Sequence, residues 1–401
     1  MIDSVSPAWP AACAALLLVL QAGLAFTESG TVRAKNALHG FAKVALGTVV
    51  AGLLYTLMGR GLAHGDSLGG WIGRSGFGLS GSDGGLAGLP FQALVAATAL
   101  NLASGAMAER GRLVAYLGLA VLLSLVVYPA FVHWSGHPQG WLRQLGFIDG
   151  AGAASVHGVG AWCALAAVLA AGPRLGRYGP AGEVREIAGH SGPLLGGGAL
   201  LVWAGWVGLN AGLSTDAQAA QVLLNTGLAG CAGGLAATLG QPRGSTPTLA
   251  RRLIKGSVCG LVAGSAGAAT QSAWAALVTG AVAGPLCLWA AQRLRNARID
   301  DPVDAIAIHG VGCVWGVLAA GLFFSDDLFN PTRLTVQLLG AVACFAWTFP
   351  LAYGGFALLA RMGAGVRASP TQEMRGMDYS ELAVLAYAEC QDSPVLLKME
   401  R

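Results

Sequence analysis

Two nearly identical strings carry the residues best suited to chemistry: His157-Gly-Val-Gly-Ala-Trp162 and His309-Gly-Val-Gly-Cys-Val-Trp315. Each places an imidazole inside a long apolar run. An ionisable side chain there is expensive in lipid and marks a functional position by default. Imidazole is the one side chain that exchanges a proton near neutral pH while offering both a donor and an acceptor nitrogen. Asp149 stands eight residues before His157, and Asp300, Asp301 and Asp304 precede His309. Carboxylates at those places suit the N-termini of the two histidine-bearing helices, with Pro302 in a first turn. Asp304 falls one turn before His309, where it would orient the helix or line an inner vestibule. Trp134 has two readings, a ring anchored at the membrane interface or a cation–π face for a small cation. His39, His64, His133, His137 and His190 fall near loops or run ends and read as solvated.

The elements that must position these residues are transmembrane helices. Of 401 residues, 54% are apolar and 11% charged, with mean hydropathy +0.60. Soluble domains carry about 25% charged residues. The composition therefore excludes a water-soluble enzyme, a disordered chain and a nucleic-acid binder. The 61 glycines lack a collagen period and point to close helix packing in lipid. The eight cysteines form no CxxC pair and read as buried thiols, so neither a metal nor another cofactor is expected.

A helix needs about 20 apolar residues to cross a bilayer. Eleven runs qualify: 9–30, 38–60, 89–109, 114–132, 150–172, 193–213, 218–240, 256–273, 274–291, 303–324 and 335–360. Basic clusters flank 256–291 on both sides, which requires a turn near Gln271. With the N-terminus outside, 20 of the 24 Lys and Arg fall in inner segments, leaving Arg60, Arg74, Arg143 and Arg333 outside. The first run lacks a basic leader and reads as a true span of a cell-membrane protein. The expected fold is all-α and polytopic, a membrane domain over 1–361 and a cytoplasmic tail over 362–401. The histidine strings lie five spans apart, which makes an inverted repeat of about 9–172 and 193–324, with 335–360 as an extra helix. Counting about 1.5 Å per residue from the helix ends, His157 and His309 approach the midplane from opposite sides. They are expected within hydrogen-bonding distance of each other.

Over nearly its whole length the chain resembles the ammonium transporter (Amt/MEP/Rh) superfamily, on the Amt side. Phe91-Gln92 through Ala108-Glu109-Arg110 resembles the third span, and Asp149-x7-His157 the fifth. Gly205-Trp206-x-Gly208-x-Asn210-Ala211-Gly212 resembles the sixth, Asp301-Pro302-x-Asp304-x4-His309 the tenth, and Gly376-Met377-Asp378-Tyr379-Ser380-Glu381 the tail. The resemblance implies a homotrimer in the bilayer with one narrow pore per subunit. Ammonium would be recruited outside and deprotonated, and the twin histidines would carry molecule and proton through an apolar lumen. It also implies a site for a cytoplasmic regulatory partner at the tail. Where the family places two gating phenylalanines the chain has Val95 and Leu209, and where it places a vestibule serine, Leu213. Those substitutions imply a wider, lower-affinity entrance, or an ammonium sensor with little transport. A haem held by His157 and His309 is a third use of the pair, excluded if the protein is colourless.

Overall fold

The computed structural model describes residues 8–79, 88–212, 214, 216–239 and 246–387. Their architecture is a bundle of long helices: α1 (Ala8–Thr31), α2 (Ala34–His64), α3 (Leu89–Met107), α4 (Leu113–Gln144), α5 (Ala153–Ala171), α6 (Gly192–Ala211), α7 (Asp216–Thr238), α8 (Thr246–Gly267), α9 (Ala273–Asn296), α10 (Ile306–Leu322) and α11 (Pro331–Arg361). Two short helices, α12 (Pro370–Arg375) and α13 (Met377–Leu382), form the tail. One small antiparallel hairpin pairs β1 (Ser67–Leu68) with β2 (Ile72–Gly73).

Nine of these helices are long and apolar enough to cross a membrane: α1 to α7, α9 and α11. This is a multi-pass membrane protein. Helix α8 carries Arg251, Arg252 and Lys255 in its N-terminal half, which dilutes its hydropathy. Helix α10 is apolar but short, because Asp301 and Asp304 sit where a longer helix would begin. The 256–291 run divides as its charges require, α8 ending at Gly267 and α9 starting at Ala273. Asn225 of α7 holds that turn, its amide donating to the carbonyls of Ala268 (2.9 Å) and Gln271 (2.8 Å).

Small residues set the helix spacing. A methyl on Gly23 of α1 would lie 2.5 Å from Val202 N, and one on Gly205 of α6 2.3 Å from the Leu20 side chain. Helices α1 and α6 therefore touch backbone to backbone. The same holds where Gly280 and Gly284 of α9 meet Ala229 and Gly233 of α7. In lipid, apolar surface gains little by leaving the solvent, so such close van der Waals contact carries the association.

Candidate functional site

The two histidines come together in the interior. Their ring centroids are 5.3 Å apart with planes 18° from parallel. Both rings are buried. No hydrogen bond joins them: Nδ1 and Nε2 of His157 and Nδ1 of His309 have no partner among the described residues. Unpaired nitrogens in a dry interior are costly. The two rings lie side by side, and the nitrogens open at their edges can meet a small molecule able to donate and accept.

Each histidine rides on a wide, π-helical turn, Ala153–Gly158 in α5 and Ile306–Val311 at the start of α10. Such turns rarely persist without a functional reason. A carboxylate eight residues upstream anchors each one. Asp149 accepts from the backbone N–H groups of Ala154 and Ser155, both at 2.8 Å. Asp301 accepts from Ile306 N–H at 2.7 Å. Asp149 and Asp301 thus hold the helix starts at matched positions, whereas Asp300, expected to cap beside Asp301, turns instead to Arg174 and Arg177. Behind the first turn, a methyl on Gly158 would lie 2.8 Å from Cys313 Sγ and 3.0 Å from Cys344 Sγ. That glycine is what lets α10 and α11 close on the His157 turn.

Trp206 is a site residue that sequence reasoning recorded only as part of a motif. Its ring stacks on His157 at 4.5 Å and 8°, and lies 6.3 Å from His309. Its indole N–H donates to Ser265 Oγ (3.2 Å), whose hydroxyl lies 3.2 Å from Asn210 Oδ1 and 2.9 Å from Leu261 O. Asn210 in turn donates to Thr226 Oγ1 at 2.9 Å. This chain from α6 to α7 and α8 locks the indole and so fixes the His157 ring. Val95 and Leu209 are both buried. Leu213 lies outside the described residues.

Trp134 is covered rather than open, with 6% of its surface exposed. Its N–H donates to Trp71 O at 2.7 Å, and its ring packs against Trp71, Trp141 and Trp347. The ring that meets solvent there is Trp71 of the β1–β2 hairpin, 57% exposed. Two histidines read as solvated are buried, His39 and His133. His133 lies between Ser67 Oγ and Ala63 O, and His39 under the tail.

On the opposite side a cleft of about 1400 Å³ reaches His309, lined among others by Glu28, Asp301, Asp304, Arg174 and Lys255. Asp304 pairs with Lys255 and, at 3.5 Å, Arg295, so it ties α8 and α9 to α10 while facing the cleft. Beside the cleft lies a buried ionic cluster that no local sequence signal announces. Glu109 accepts from Arg33 Nη2 (2.9 Å) and Arg174 Nη1 (3.1 Å), and Asp300 from Arg174 Nε (2.8 Å) and Nη2 (2.9 Å). Burial pushes the Asp300 carboxyl up, but the hydrogen bonds and charge of Arg174, with Arg110, outweigh it and hold it at about 2.

The tail caps two helices. Asp378 accepts from Leu38 and His39 N–H at the start of α2, and Glu381 from Leu113 N–H (2.6 Å) at the start of α4. Negative charge at those helix ends is favourable. Glu373 accepts from Leu175 N–H and Arg367, joining the tail to the ionic cluster.

The chain is similar to known proteins over nearly its whole length. The sequence profile described as the Ammonium Transporter Family matches residues 8–387. The chain is similar to ammonium transporter Amt2 of Archaeoglobus fulgidus, 33% identical over 427 residues covering 98% of this chain and 91% of the relative. Amt1 of the same organism is 32% identical over 398 residues, covering 95% and 98%. Among solved structures, one titled Sensor Amt Protein aligns with TM-score 0.88 and 31% identity over 94% of this chain and 97% of that one. Mep2 of Candida albicans aligns with TM-score 0.83 and 26% identity over 98% and 91%. The buried histidine pair, its two aspartate caps and these whole-length matches lead to one conclusion: the chain belongs to the ammonium transporter family.

Proposed function

We propose that the protein moves ammonium or ammonia across the cell membrane through a pore whose centre is the His157–His309 pair. One observation carries this reading: two buried, nearly parallel rings lie 5.3 Å apart, side by side, with ring nitrogens left open. A permanent ion such as K⁺ entering that space loses its water and gains only neutral nitrogens, at a cost of many kcal/mol. Ammonium alone sheds its charge as a proton, and the neutral molecule both donates to and accepts from imidazole. Trp206 and the apolar wall keep water away, and Val95 and Leu209 supply less bulk than phenylalanine would. The cleft below His309 is the inner exit.

In this reading all eleven long helices cross the bilayer, α1–α5 and α6–α10 form the inverted halves, and α11 is the extra helix. Equal Asp–His spacings and paired π-helical turns in α5 and α10 support the repeat. The N-terminus is outside and the tail cytoplasmic, as the basic residues require. The assembly is a homotrimer with a pore in each subunit, and the tail is where a cytoplasmic regulator acts. Transport is preferred to sensing because relatives matched over more than nine-tenths of their length are named transporters. The test is labelled methylammonium uptake in cells lacking their own ammonium transporters. Saturable uptake that ammonium inhibits supports the proposal; uptake no greater than in empty cells at equal surface expression refutes it.

A further inference from the structure

The outer end of α4 carries two histidines that the pore does not use. His133 and His137 stack with centroids 4.3 Å apart and planes 13° from parallel. His133 lies 2.8 Å from Ser67 Oγ on β1 and 3.0 Å from Ala63 O. His137 Nδ1 accepts from Gln139 N–H at 3.1 Å. Two residues later, Trp141 N–H donates to Gly70 O in the hairpin turn. That turn needs glycine, with φ of +61° at Gly69 and +83° at Gly70. It delivers Trp71, whose ring meets Trp134 at 5.5 Å and Trp141 at 5.7 Å. The histidines thus hold the hairpin and the 137–141 turn from which the tryptophan cluster is built.

Hydrogen-bond direction fixes the protons. The Ala63 carbonyl only accepts, so His133 Nδ1 bears the hydrogen, while its Nε2 lies against the Ser67 hydroxyl, which can donate to it. The Ser67 oxygen is then free to accept from Gly70 N–H, at 3.0 Å. Gln139 N–H only donates, so His137 Nδ1 is bare. The His137 ring is neutral in this arrangement. A proton on His137 removes the acceptor for Gln139 and sets a cation against the His133 ring. His64 from α2 and Arg143 after the turn lie near the pair and oppose added positive charge, while Asp66 before the hairpin favours it.

We propose that His133 and His137 are positioning residues that hold the Trp71–Trp134–Trp141 cluster in place for an arriving ammonium ion, and that outside protons loosen it. This rests on the transport reading for the identity of the cation and the outer side. A cation–π contact depends on rings held still, so loosening the hairpin weakens recruitment without touching the inner histidines.

The test follows labelled methylammonium uptake in proteoliposomes containing the full chain at pH 7.5, 6.5 and 5.5, with the same pH inside and out. Losing one neutral hydrogen bond is expected to raise KM about three- to tenfold on acidification, at unchanged maximal rate. His137→Asn keeps an oxygen acceptor for Gln139 and cannot be protonated, so its KM stays flat. Ser67→Ala raises KM at every pH. Tryptophan emission of the detergent-solubilised protein is the transport-independent readout, with a transition on acidification that His137→Asn abolishes. If emission responds in this way but no preparation transports, the positioning role stands and the transport reading fails. A wild type flat in both KM and emission, or a His137→Asn that responds like wild type, overturns the proposal. If His137→Asn does not fold, the wild-type curves and Ser67→Ala decide.

Discussion

Replacing Arg174 with Met removes one charge from a place where two carboxylates depend on it. The Arg174 side chain is 4% exposed, and those of Glu109 and Asp300 are fully buried. The change deletes two hydrogen bonds to Asp300 and one to Glu109, leaving Arg177 and Arg33 as the remaining charged partners. Breaking a buried pair costs about 3–5 kcal/mol, and the surviving partners place this case near the low end, about 3. At about 2 °C per kcal/mol for a chain of this size, the Tm should fall about 6 °C. The assay is thermal unfolding of detergent-solubilised protein followed by tryptophan emission at pH 7. The pH dependence has a definite sign. Asp300 sits at about 2 in the fold, below its unfolded value of about 3.9. Its contribution is complete above about pH 4 and is lost as pH falls toward 2. Arg174→Met should flatten that acid limb, and Arg174→Met with Asp300→Asn should recover part of the Tm. A single variant melting within about 1 °C of wild type would refute the reasoning.

Gly158→Ala forces a methyl against Cys313 and Cys344 and should cost about 1–3 kcal/mol while cutting uptake, with Cys344→Ala restoring part of both. Uptake and Tm measured on the same preparations form the cycle. Asp149→Ala removes the cap of the His157 turn and should destabilise by about 1–2 kcal/mol, whereas Asp149→Asn retains an oxygen acceptor and should melt closer to wild type. Trp206→Leu frees the His157 ring and should lower the uptake rate about tenfold or more, while Ser265→Ala, which only unpins the indole, should have a smaller effect.

What could be read from sequence follows what is local in it. The repeated His-Gly-Val-Gly strings and the carboxylate eight residues before each histidine stand out because helical position is encoded in spacing. They led to two rings that do meet in the interior and to two caps that do cap. The long apolar runs gave the helices, and the charges flanking 256–291 gave its division. Contacts between distant segments were not legible. Nothing near Glu109 reveals that Arg174 and Arg33 converge on it, and nothing near His39 reveals that Asp378 and Glu381 arrive from the tail. His133 and Trp134 look peripheral because a helix end usually faces solvent, but the hairpin between α2 and α3 folds back over them. The depths of the twin histidines bring their rings beside each other, but the Trp206 stack that orients them comes from a distant segment and leaves no mark in their spacing.

The most direct test of the central claim is ammonium flux against K⁺ flux in proteoliposomes carrying wild type, His157→Ala or His309→Ala, each checked for equal assembly. The account predicts ammonium flux without K⁺ flux in the wild type and loss of that selective flux in either variant. Wild-type ammonium selectivity that survives both substitutions would contradict it.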